Sequence, residues 1–132
     1  MKYDHSIALK LYDKDKPELS IKMLSKRIVD FTDDPYSFEY RAMAYFHYGK
    51  FDKCIEDMNA AQLLQPNNPY RYSSRAYVKN KIGDFDGAIE DYQKAVHLDP
   101  EDAIAYNNLG LAMEAKGYSE NAKTHFSKAD EL

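Results

Sequence analysis

The chain has little of what marks secretion, membranes or nucleic-acid binding. None of its 132 residues lie in an apolar run long enough to span a bilayer. The N-terminus, MKYDHSIALKLYDKDK, is charged from its second residue and has no apolar core of signal-peptide length. A single cysteine, Cys54, leaves no internal disulfide and fits a reducing compartment. We therefore expect a cytoplasmic protein. The closing Ala-Asp-Glu-Leu is faintly like a retention tail, but no entry signal accompanies it. Basic residues do not dominate: 18 Lys and Arg stand against 22 Asp and Glu, a net charge of −4, which argues against a nucleic-acid footprint. The five glycines are isolated, so no loop cradles a phosphate.

What is present is repetition. Residues 35–68 and 69–102 are two blocks of 34 residues that share Pro, Tyr, Arg-Ala, Gly, Phe-Asp, Ile-Glu-Asp, Ala, Leu and Pro at matching offsets without a gap. A fixed period in this range signals stacked supersecondary units. The frame extends both ways, to 1–34 and to a short block at 103–132. Each block splits into two patterns of helical spacing. Tyr72 with Ala76, and Tyr106 with Leu109, Gly110 and Met113, mark first helices. Cys54, Ile55, Met58 and Ala61, and Ile89, Tyr92, Ala95 and Val96, mark second helices. Gly49, Gly83 and Gly117 recur between the halves, where a left-handed residue stops the first helix. Asp15 holds that offset in the first block and is expected to adopt the same conformation. Asp34, Asn68 and Asp102 precede first helices as caps. Pro35 and Pro69 open two of those helices, Pro17 opens the second helix of the first block, and Pro66 and Pro100 follow second helices.

These residues resemble the tetratricopeptide repeat, whose signature is an aromatic, Leu-Gly and Tyr in the first helix, then Ala, an aromatic, Ala and Pro. The fourth block carries Tyr106, Leu109-Gly110, Ala122, Phe126 and Ala129. The third carries Tyr72, Ala76, Ala88, Tyr92, Ala95 and Pro100, and the second Phe38, Ala42, Tyr45, Cys54, Met58, Ala61 and Pro66. Cys54, at an alanine offset, reads as a small buried hydrophobe. The first block departs most, with Asp4, Ser20, Arg27 and Thr32 at signature offsets. It is expected to be a helical hairpin that caps the N-terminal end with a wetter outer face. The resemblance implies an all-α fold: a right-handed solenoid of antiparallel helix pairs, about four repeats and eight helices, forming a single domain over 1–132.

Chemistry is sparse. His5, His47, His97 and His125 fall at different offsets and show no metal-ligand spacing. Glu56-Asp57 and Glu90-Asp91 recur one period apart and are expected to be solvated charge. Ser73-Ser74 lacks a nucleophile-elbow setting. We expect no enzyme, no cofactor, no metal, no nucleic acid and no membrane.

In proteins of this resemblance the first helices line a concave groove that binds a segment of another protein. Carried over, the wall is Tyr36, Tyr40 and Met43 in the second block. In the third it is Tyr70, Ser74 and Tyr77, and in the fourth Asn107, Asn108 and Leu111. Tyrosine suits such a wall because its area is large and its tip can hydrogen-bond. Members that grip a chaperone's C-terminal carboxylate use a clamp of Lys, Asn, Asn, Lys and Arg. This chain has His5, Leu9, Tyr40, Tyr70 and Ser74 there, or Glu39, Met43, Ser74, Ile104 and Asn108 one repeat on, so no clamp is expected. The leading expectation is a non-catalytic adaptor for a peptide segment of a partner protein. The alternatives are a homo-oligomer joined through an uncapped Ala122, Phe126 and Ala129 side, or a fragment of a larger protein.

Overall fold

The computed structural model describes residues 2–132, and all the regular structure among them is α-helical. The helices are α1 (Ser6–Leu11), α2 (Pro17–Asp30), α3 (Pro35–His47), α4 (Phe51–Leu64), α5 (Pro69–Lys81), α6 (Phe85–Leu98), α7 (Ala103–Lys116) and α8 (Ser119–Glu131). Short turns join α3 to α4, α5 to α6 and α7 to α8, so each pair folds back on itself. The chain divides into two compact units, 1–66 and 67–132.

The caps explain the boundaries. Asp34 and Asn68 accept hydrogen bonds from the backbone N–H of Tyr36 and Tyr70, and Asp102 accepts one from Ala105. Pro35 and Pro69 sit in the first turn, where their missing N–H leaves no bond unmade. Gly49, Gly83 and Gly117 have φ of 81°, 87° and 98°, the left-handed region that ends a helix.

Asp15 does not follow them, because no non-glycine residue among those described has positive φ. The α1–α2 turn is closed differently. The Asp13 carboxylate accepts from the Asp15 N–H at 2.9 Å, and the Asp13 carbonyl accepts from the Lys16 N–H at 3.0 Å. A side-chain turn of this kind lets the chain reverse without a residue at positive φ.

In the first unit, α1 is only 6 residues long, less than half of any other first helix. The departures at Ser20 and Arg27 have structural work of their own. The buried Ser20 hydroxyl accepts from the Asp13 N–H at 2.8 Å and tethers the turn to α2. Arg27 Nε donates to the fully buried Asp34 carboxylate at 3.0 Å. That carboxylate also accepts from the Ser37 hydroxyl at 2.8 Å, so one side chain caps α3 and holds α2 against it. Cys54 is buried on α4, and burial pushes its thiol pKa up to about 12. A thiol-specific reagent at neutral pH should therefore label Cys54 only as fast as the first unit opens. Stopped-flow labelling across a denaturant series would measure this.

The second unit has a continuous core of Ala76, Ala88, Tyr92, Leu109, Ala112, Met113 and Ala122, with Ile89, Val96 and Phe126 packed on it. It joins all four helices of the unit. The close approach of α7 and α8 depends on Gly110. A Cβ there would stand 2.6 Å from a Phe126 ring carbon. Gly110→Ala should destabilise the unit by about 1–3 kcal/mol, read as a lower midpoint in urea. His125 stacks on Tyr106 at 6.3 Å, and partial burial lowers its pKa.

One expectation is corrected here. Asp57 and Asp91 are not solvated: their residues are 3% and 4% exposed. Arg41 Nε and Nη2 donate to the two Asp57 carboxylate oxygens at 2.8 and 2.7 Å. Arg75 does the same to Asp91 at 2.8 and 2.7 Å, and Lys79 adds a third cationic contact at 3.0 Å. The forked guanidinium satisfies both oxygens at once, which is what lets a carboxylate leave water. These hydrogen bonds hold both arginines above their ordinary pKa. On α8, Ala122 is fully buried and Phe126 lies over Gly110 in the core of its own unit.

Candidate binding surface on the first helices

Spacing along α5 and α7 builds the surface of the second unit. On α5 the buried residues are Arg71, Tyr72, Ala76 and Val78. Tyr70 and Tyr77 lie off that face and are 51% and 48% exposed, while Ser74 is half-buried between them. On α7 the buried residues are Ala105, Leu109, Gly110, Ala112 and Met113. This leaves Asn107 and Leu111 exposed and Asn108 half-buried. α5 and α7 touch directly. The rings carry cations nearby: Lys81 Nζ lies 5.4 Å from the Tyr77 centroid, and the Arg71 guanidinium 5.7 Å from that of Tyr70.

The first unit differs. Tyr36, Tyr40 and Met43 are all half-buried on α3. Tyr36 packs on His5 with ring centroids 6.3 Å apart, and Tyr40 on Tyr12 at 5.6 Å. Tyr12 also meets His47 at 6.4 Å, and His47 meets Phe46 at 5.7 Å. The aromatic residues of α3 thus serve partly to hold the short α1. Sequence reasoning passed over Tyr12 as a packing partner. The signal was available in its first-helix offset, facing Tyr40 one repeat later.

Two further observations bound the chemistry. Among the described residues, no three or more His, Cys, Asp or Glu side chains are gathered where they could hold a metal ion. No helix among them is long and apolar enough to cross a membrane.

Comparison with known proteins agrees with this architecture. A family profile described as TPR repeat matches residues 76–117, and one described as tetratricopeptide repeat matches residues 103–132. No curated protein sequence matches. Among solved structures, one titled "Crystal structure of MamA protein" is 30% identical over 87% of this chain, with a TM-score of 0.81. Another, "Crystal structure of MamA", is also 30% identical over 87% of this chain, with a TM-score of 0.82. The chain spans 63% and 67% of these two proteins. The second TPR of Spaghetti (RPAP3), bound to the HSP90 peptide SRMEEVD, is 26% identical over 74% of this chain and 91% of its own, with a TM-score of 0.69. Eight helices in repeated pairs among the described residues, the repeat profiles and these likenesses lead to one conclusion: the chain belongs to the tetratricopeptide-repeat family.

Proposed function

We propose that the protein is a non-catalytic interaction scaffold that holds a peptide segment of a partner protein on its first helices. One observation carries this reading: Tyr70, Tyr77 and Leu111 stand substantially exposed on two adjacent helices of a rigidly cored unit. Large apolar side chains at a surface cost hydration, and tyrosine is over-represented among residues that dominate binding. Ser74, Asn107 and Asn108 border them and offer hydroxyl and amide groups to a peptide backbone. In the first unit, Tyr36, Tyr40 and Met43 form the corresponding but more filled wall.

The RPAP3 domain shows that this fold can hold a peptide, there the acidic SRMEEVD. Carboxylates of that kind are best met by Lys and Arg. This chain has His5, Tyr70 and Ser74 where the three clamp cations would stand, or Glu39, Ile104 and Asn108 one repeat on. We therefore assign it a segment whose anchors are apolar or aromatic.

A phage-displayed library of random peptides, panned on the intact chain, tests the reading. Selected peptides should carry apolar or aromatic anchors. The Tyr70→Ala, Tyr77→Ala double variant should bind them at least tenfold more weakly by titration calorimetry, from about 1 kcal/mol or more per anchor. Undiminished binding by the folded double variant would remove the assigned surface.

A further inference from the structure

With a peptide on α5 and α7, as proposed above, the residues of those helices also set its shape. Tyr70 and Tyr77 stand seven residues apart on α5, and Ile104 and Leu111 stand seven apart on α7. Seven residues make about two turns, so each pair forms a ridge whose large side chains are about 10 Å apart. Ile104 and Leu111 are 74% and 46% exposed. Polar groups lie between the ridges. Ser73 and Asn80 are one turn before and after the buried Ala76, which shares a core cluster with Leu109 and Ala112 of α7. They therefore occupy the flank of the tyrosine ridge that turns toward α7. Asn108 is one turn from both Ala105 and Ala112, which are buried on α7. Because α5 and α7 touch, these hydroxyl and amide groups share one lane.

Asn80 stands out among them. Its Oδ1 is buried, and among the described residues no donor reaches it. Native structures leave few such atoms without a partner. The residue as a whole is half-buried, and the last torsion of an asparagine side chain turns easily. Rotation carries the oxygen to the lane, where an N–H from a ligand can satisfy it. One turn beyond Tyr77 the same ridge ends at the exposed Lys81, whose ammonium lies 5.4 Å from the Tyr77 ring centroid. α5 has no acidic residue of its own, so this end of the lane suits a carboxylate.

Length alone does not choose the ligand's conformation. Three residues of extended chain and seven of helix both cover about 10 Å. The amides do choose. A helix spends its N–H groups on its own carbonyls, whereas an extended chain leaves them open to Asn80 and Asn108.

We propose that the lane holds its peptide extended along α5 and α7, with apolar or aromatic anchors at i and i+3. Asn80 Oδ1 and Asn108 take backbone N–H groups, and an acidic side chain beyond the second anchor meets Lys81. The first anchor lies at the level of Tyr70 and Ile104, the second at that of Tyr77 and Leu111.

Random 12-residue peptides displayed on phage and panned on the intact chain supply the probes. Synthetic copies are then titrated by fluorescence anisotropy. Selected sequences should align on two apolar residues three positions apart with Asp or Glu beyond one of them. Asn80→Ala should weaken binding about fivefold or more. N-methylation of each peptide nitrogen in turn should find one position that costs the wild type as much and costs Asn80→Ala little, since the same bond is removed twice. Lys81→Ala, and replacement of the peptide's acidic residue by its amide, should each weaken binding several-fold, and together no more than either alone. Lys123→Ala on α8 should leave affinity unchanged. Circular dichroism checks that each variant is folded. Anchors seven apart with helical dichroism in the bound peptide would overturn the proposal and leave the surface standing. So would an N-methyl scan that reads the same in wild type and Asn80→Ala. No selected peptide, or peptides indifferent to Tyr70→Ala with Tyr77→Ala, would remove the surface and the proposal with it.

Discussion

Asp91→Ala should cost the second unit about 3–5 kcal/mol and unfold it at urea concentrations where the wild type is intact. The Asp91 carboxylate is almost wholly out of water and receives two hydrogen bonds from Arg75 and one ionic contact from Lys79. Removing it takes the bidentate carboxylate partner from the Arg75 guanidinium, whose side chain is only 13% exposed. Arg75→Ala should do similar damage from the other side. Lys79 softens that loss, because it remains beside Asp91. Replacing both partners with apolar residues of similar volume, Arg75→Met with Asp91→Leu, should recover most of the loss, since the guanidinium leaves with the carboxylate and the partly exposed Lys79 can turn to water. The fourth repeat already has an uncharged version, with Leu109 and His125 at the offsets of Arg75 and Asp91. Equal destabilisation by the single and double variants would show that shape, and not stranded charge, dominates.

Tyr92→Ala should be comparably severe, about 3–5 kcal/mol, with loss of any peptide held on α5 and α7. Tyr92 is the largest fully buried side chain, and it touches the core shared by all four helices of its unit. Its removal leaves a cavity that alanine-lined neighbours such as Ala76, Ala88 and Ala112 cannot collapse to fill. Tyr92→Phe keeps the ring and separates packing from the hydroxyl. Burial pushes the Tyr92 pKa from 10.0 up to about 12. The folded state therefore holds that proton more tightly than the unfolded chain does. The associated stability is present below pH 10 and is lost as pH rises toward 12. Denaturation followed against pH should show a smaller alkaline decline in Tyr92→Phe than in the wild type.

Much of the fold was legible because repetition multiplies each signal. One Asn before one Pro is weak evidence for a helix start. Asp34-Pro35 and Asn68-Pro69, one period apart and followed by like patterns, are strong evidence, and the cap bonds lie where that register puts them. The glycine stops were legible for the same reason. What escaped was whatever depended on a partner on another helix. Asp57 and Asp91 looked solvated because each follows a Glu that is exposed. Their burial follows from Arg41 and Arg75, each 16 positions upstream. The clue was joint recurrence: Arg and Asp appear together in the two middle blocks and are absent together in the outer two. Asp15 failed because the first turn has its own closing residue, Asp13, which the repeat frame did not anticipate. The exposure of Ile7, Leu19 and Met23 was hidden by the expectation of a wetter outer face on the first block. The tyrosines of the first helices looked alike, yet Tyr36 and Tyr40 pack on His5 and Tyr12, which flank α1, while Tyr70 and Tyr77 stand about half exposed.

The central claim is that α5 and α7 hold the peptide. Amide chemical-shift mapping of the labelled, intact chain with a selected peptide tests it most directly. Progressive shifts should cluster on Tyr70, Ser74, Tyr77, Asn107, Asn108 and Leu111, with α8 residues such as Lys123 and Asp130 unmoved. Shifts confined to the second helices, with those six residues unchanged at saturation, would contradict it.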